Sequence, residues 1–88
     1  EEMFVIVTYD VNVKRNSKML KICRKYLTHI QKSVFEGQIT EAKLNKLKNE
    51  LKKAAETDED SIIIYRFDSL KYSNKEILGS YDIHDNFL

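Results

Sequence analysis

Eighty-eight residues suffice for one domain and not for two, and a core of that size is marginal unless copies associate. Fifteen Lys and Arg stand against fourteen Asp and Glu, so the net charge alone points to no polyanionic partner. The single cysteine, Cys23, excludes an intrachain disulfide and fits a reducing, cytoplasmic setting, and no apolar run approaches the ~20 residues a membrane span needs, so no membrane partner is expected.

Glu1 and Glu2 precede Met3 and read as residues added before a native start. Residues 3–79 read as one domain and residues 80–88 as a C-terminal tail. Residues 3–9, MFVIVTY, are β-branched or aromatic and apolar on both faces, which predicts a central strand. Residues 14–27 predict a helix whose core stripe is Met19, Cys23, Tyr26 and Leu27, with Leu20 beside it. Residues 29–40 alternate and predict two short strands with a turn or bulge near residues 33–37. Thr40 suits an N-cap, and Glu41 suits the positive end of the helix that follows. That helix should run to about Glu56 and bury Leu44, Leu47, Leu51, Ala54 and Ala55. TDED, residues 57–60, reads as a solvated acidic loop before a second apolar strand at residues 61–67. Residues 75–79 predict a short fifth strand. The order β-α-β-β-α-β with an appendix is the ferredoxin-like arrangement, an α+β fold.

The even charge balance conceals an asymmetry. Between Val11 and Phe35 there is no acid, but seven bases: Lys14, Arg15, Lys18, Lys21, Arg24, Lys25 and Lys32. From Glu36 onward eleven acids face eight bases. Lys14, Lys18, Lys21 and Lys25 recur at i, i+4, i+7 and i+11, one stripe opposite the core stripe. Two readings are open: a solvated face, or a row of ammonium groups that tracks a phosphate backbone. The absence of interleaved glutamates favours the second. No paired aromatics of the kind that stack on RNA bases accompany the stripe.

Most catalytic templates are missing. With only Gly37 and Gly79 there is no glycine-rich phosphate loop, and His29 and His84 have no zinc-like spacing. His29 reads as a strand-edge residue, and Cys23 as a small buried hydrophobe. Asp10, at the end of the first strand, reads either as a turn or cap residue or as a metal ligand. Mg²⁺ takes hard oxygen ligands and commonly only one or two carboxylates, so a pair of Asp10 side chains across a dimer axis would serve.

TYDV at residues 8–11, KRNSK opening the basic helix, and IQKSVFEGQIT at residues 30–40 carry a resemblance. The chain resembles the small, second-numbered CRISPR-associated family of the spacer-acquisition module, over nearly its whole length from Met3 to about Gly79. The resemblance implies a ferredoxin-like homodimer with Asp10 as metal ligand, and Mg²⁺ shared between two copies of Asp10. It also implies catalytic support from Tyr9, Arg15, Ser33 and Phe35, and nucleic-acid contacts through Lys14, Arg15, Lys18, Lys21 and Lys25. A fifth strand at Ile77 and Leu78 is implied to join the partner's sheet. The apolar tail residues Tyr81 and Ile83 imply a protein partner, the CRISPR integrase, or else packing on their own domain. His29 stands where many members have arginine, and Ser17-Lys18 replaces a second arginine often found after Arg15. Two functions accompany the resemblance: an adaptor that bridges integrase subunits and holds spacer DNA, with RNA or double-stranded DNA as binding partner, and an Mg²⁺-dependent endonuclease that hydrolyses RNA or DNA. A toxin-type ribonuclease of related fold is an alternative.

Overall fold

The computed structural model describes residues 2–67 and residue 78. Strand β1 (Glu2–Asp10) leads through a single 3-10 turn (Val13–Arg15) into helix α1 (Asn16–Arg24). Strands β2 (Thr28–Gln31) and β3 (Val34–Thr40) form a hairpin, followed by helix α2 (Glu41–Ala54) and strand β4 (Ser61–Phe67). The sheet order is β2-β3-β1-β4, with every neighbouring pair antiparallel. This is the expected β-α-β-β-α-β topology. The fifth strand at residues 75–79 and the tail at residues 80–88 lie outside the described residues, apart from Leu78, which is 92% exposed.

Apolar side chains on both faces of β1 suit its central place, but the two faces have different environments. Met3, Val5, Val7 and Tyr9 are buried on the side that carries both helices. Phe35 and Ile39 of β3 join them, with Met19, Ile22 and Cys23 from α1 and Leu44, Leu47 and Leu51 from α2. Burying a side chain of this kind is worth about 1.5–3 kcal/mol, so this single cluster accounts for most of the hydrophobic stabilisation. No described helix covers the opposite side of the sheet. Its register places Phe4 against Phe67, Ile6 against Tyr65, and Thr8 against Ile63. Ile63, Tyr65 and Phe67 remain 47, 51 and 40% exposed.

The first helix departs from expectation at both ends. Asn12, not a helical residue, organises its start: the Asn12 side chain accepts the Lys14 N–H at 3.1 Å, and Lys14 and Arg15 lie in the 3-10 turn. At the far end Lys25 N–H bonds to Ile22 O and Tyr26 N–H to Cys23 O, three-residue spacings that tighten the last turn. Tyr26 and Leu27 therefore lie beyond the helix, although Leu27 still reaches the core. The second helix begins as predicted, with Thr40 Oγ1 accepting the Lys43 N–H at 3.3 Å and Glu41 in the first turn. It stops at Ala54, two residues before the expected end. The hairpin turns at Lys32-Ser33, with Lys32 at φ 42° and a register irregularity between His29 and Gln31.

Candidate functional site

Asp10 is the last residue of β1 and is exposed, its Cα paired with Ser61 of β4. Strand alternation puts it on the same side as Phe4, Ile6 and Thr8, the open side of the sheet. Its carboxylate enters no hydrogen bond or ion pair with any described residue. Among the described residues no three His, Cys, Asp or Glu side chains gather into a metal-binding group. One chain thus offers one hard oxygen donor here, which fits Mg²⁺ only if water, substrate phosphate or a second copy completes the shell.

Tyr9, Ser33 and Phe35 are among the residues expected to support Asp10. Tyr9 points to the helix side and is 7% exposed. Burial, and to a lesser degree the nearby Cys23, pushes its phenol up to about 12, so it stays protonated at neutral pH and cannot act as a base. Phe35 is fully buried, its ring stacked with Tyr9 at 6.1 Å and with His29 at 4.5 Å. Phe35 thus belongs to the helix-side core. Ser33 sits in the hairpin turn, where its carbonyl accepts the Tyr9 N–H at 3.2 Å. Tyr9, Ser33 and His29 meet at a shallow groove of about 520 Å³ on the helix side, with Asn16, Ser17 and Lys32 along its wall. Asp10 follows Tyr9 in the chain and is not among the residues lining that groove. Cys23 is wholly buried, its thiol pushed up to about 12 by burial, in keeping with an inert apolar role.

Arg15 is paired with two carboxylates. Its Nε donates to Asp60 Oδ2 at 2.6 Å and its Nη2 to Asp60 Oδ1 at 2.9 Å, while Nη2 lies 2.9 Å from Glu59 Oε1. The Asp60 side chain is fully enclosed and accepts the backbone N–H groups of Asn12 and Glu56 as well. The TDED loop is therefore not wholly solvated: Asp60 ties the entrance of β4 to the exit of β1. The Arg15 bonds, followed by the Glu56 and Asn12 amides, hold the Asp60 carboxyl well below the usual carboxylate range. A depressed folded-state value stabilises the fold above that range, and the stability is lost as pH falls below it. Arg15→Gln should lower the melting temperature at neutral pH, with the gap from the parent narrowing as acid protonates Asp60. The same variant should leave the salt dependence of nucleic-acid binding unchanged, because a guanidinium engaged by two carboxylates is not free for phosphate. A flattened salt dependence would return Arg15 to the phosphate-binding set.

Lys14, Lys18 and Lys21 are exposed and have no carboxylate partner among the described residues. Lys25 differs. Its ammonium pairs with Glu50 of α2 and lies 5.8 Å from the centre of the Tyr26 ring, whose hydroxyl donates to the same carboxylate. Hydrogen bonds from Lys25 and Tyr26 lower the Glu50 carboxyl, and the Lys25 ammonium is raised in return. Asp60 and Glu50 were not legible as partners of these bases, because each pairing joins residues at least 25 positions apart. The only local hint was the placement of Asp60 directly before the apolar run of β4.

A family model described as CRISPR associated protein Cas2 matches residues 3–75. The chain is 51% identical over 77 residues to the CRISPR-associated endoribonuclease Cas2 of Dictyoglomus turgidum, covering 88% of each chain. It is 46% identical over 86 residues to the protein of that name from Thermotoga maritima, covering 98% of this chain and 99% of the relative. A solved structure described as a crystal structure of Cas2 superposes with a TM-score of 0.82 at 40% identity, over 92% of this chain and 91% of that one. The toxin-type alternative falls away with these matches. A ferredoxin-like sheet open on one side, an exposed aspartate closing its central strand, and these relatives together place the chain in the CRISPR-associated Cas2 family.

Proposed function

We propose that the chain acts as a homodimeric, Mg²⁺-dependent endoribonuclease and nucleic-acid-binding component of CRISPR spacer acquisition. The observation that carries this reading is the position of Asp10 at the end of the open, apolar sheet face. On that face Ile63, Tyr65 and Phe67 are 47, 51 and 40% exposed, beside Phe4 and Ile6 of β1. Two such faces packed about a two-fold axis would cover it and bring two Asp10 carboxylates toward one another. The names of the curated relatives support ribonuclease activity.

Asp10 from each chain would hold the metal, which when bound supplies charge stabilisation and a nucleophile at neutral pH. The chain's own contribution is binding and exclusion. Lys14, Lys18 and Lys21 hold the phosphate backbone by charge without reading bases, and the apolar sheet face keeps water from one side of the carboxylate pair. The same dimer would bridge subunits of the CRISPR integrase and hold double-stranded DNA between them, a role that needs binding and no bond cleavage.

Light scattering tests the arrangement. The chain should be a dimer at micromolar concentration, and Tyr65→Asp should shift it to monomer, because a half-exposed tyrosine can be replaced without opening the core. Loss of Mg²⁺-dependent RNA cleavage in the same variant would link catalysis to the two-fold site. A monomeric parent, or full cleavage by a monomeric variant, would overturn the reading.

A further inference from the structure

The second helix carries a lysine row of its own. Lys43, Lys46, Glu50 and Lys53 stand at i, i+3, i+7 and i+10, a single stripe of α2 interrupted by one acid. That acid is already engaged, since Glu50 is held by Lys25 and the Tyr26 hydroxyl across the helix seam. The only other acid of α2, Glu41, pairs with Arg66 of β4. Lys43, Lys46 and Lys53 are exposed and have no carboxylate partner of their own among the described residues.

The α2 stripe also lies on the side facing α1. Lys43 lines one depression with Lys25, Tyr26 and Thr40, and the charge of Lys53 helps lower Glu50. The Lys25–Glu50 pair is therefore a neutral bridge between two cationic rows: Lys14 in the 3-10 turn with Lys18 and Lys21 on α1, and Lys43, Lys46 and Lys53 on α2. Segment charge conceals this, because the acids after Glu36 lie mostly in the loop before β4 and beyond residue 67. Within the helix layer no unpaired acid remains among the described residues.

We propose that Lys43, Lys46 and Lys53 form a second phosphate-binding stripe, so that duplex nucleic acid lies across both helices instead of along α1 alone. The inference rests on the nucleic-acid-binding part of the proposed function and enlarges its contact surface. A one-sign surface two helices wide suits a polyanion with two backbones, and rows of ammonium groups without base-reading side chains make its binding independent of sequence. Lysine, a point charge on a flexible stem, suits that kind of contact better than fixed bidentate recognition.

The experiment measures the salt dependence of affinity for a DNA duplex and an RNA duplex, using the full chain. The variants are Lys43→Gln/Lys46→Gln/Lys53→Gln and, separately, Lys18→Gln/Lys21→Gln. Glutamine preserves helix propensity, and circular dichroism checks that each variant is folded. Removing one lysine–phosphate pairing should flatten the log–log slope by about 0.9, and the α2 variant should bind both duplexes more weakly at low salt. Parent slope and affinity in the α2 variant, with a flattened slope in the α1 variant, would overturn the second stripe and leave α1 binding intact. No change in either variant would remove both stripes, and failure of the parent to bind either duplex would remove the nucleic-acid reading itself.

Discussion

Asp10→Asn should lower Mg²⁺-dependent RNA cleavage by at least ~100-fold, a loss of about 2.7 kcal/mol of transition-state stabilisation. The substitution preserves the side-chain shape and removes one negative charge from each chain, hence two from a dimer. Asp10 is exposed and makes no hydrogen bond or ion pair with the described residues, so the melting temperature should stay at the parent value. Nucleic-acid affinity should hold or rise slightly, because the lysine rows remain and a like-charged group near phosphate is gone. A reconstituted integration assay separates the two proposed roles. Integration that survives in the variant assigns Asp10 to cleavage alone, whereas its loss would make the carboxylate part of the assembly. Cleavage at the parental rate would reduce Asp10 to a strand-end residue.

Phe35→Ala should have the largest effect on the fold. The ring is fully buried at the centre of the helix-side core and stacks with Tyr9 and His29. Truncating such a side chain costs about 3–5 kcal/mol, counting both the forfeited transfer energy and the cavity left behind. That is a large share of the 5–15 kcal/mol typical of a whole domain, so the melting temperature should fall by roughly 15–30 °C. Phe35→Leu, which keeps most of the volume, should retain the fold and most of the cleavage. A folded Leu variant that cleaves no RNA would instead give the ring a direct part in the chemistry, contrary to its position behind the sheet.

Elements whose signal is local were legible in the sequence. β1, β4 and the start of α2 followed from apolar runs and from Thr40-Glu41, since a strand's pattern and a helix cap are decided within a few residues. The early stop of α1 was not legible, because Leu27 continues the helical spacing while tertiary packing turns the chain toward β2. Alternation alone places Tyr9 and Asp10 on opposite faces. Both faces of β1 are apolar, however, so the sequence did not say which one the helices cover. The charges were the least legible. Composition locates a base along the chain, but whether Asp60 or Glu50 lies beside it depends on how the sheet and helix layer close.

The placement of β4 at the end of the sheet has a consequence for handling the protein. β4 pairs with β1 along one side, and among the described residues no strand pairs with its other side. Its sequence, SIIIYRF, contains four apolar or aromatic residues in unbroken succession and a single charge, Arg66, which is engaged by Glu41. A strand with these properties and an edge that no described strand pairs is a template for further strands. Whatever weakens the Arg66–Glu41 pair or strips cover from that edge should therefore appear first as reduced solubility and fibrillar aggregation, before any change in secondary structure.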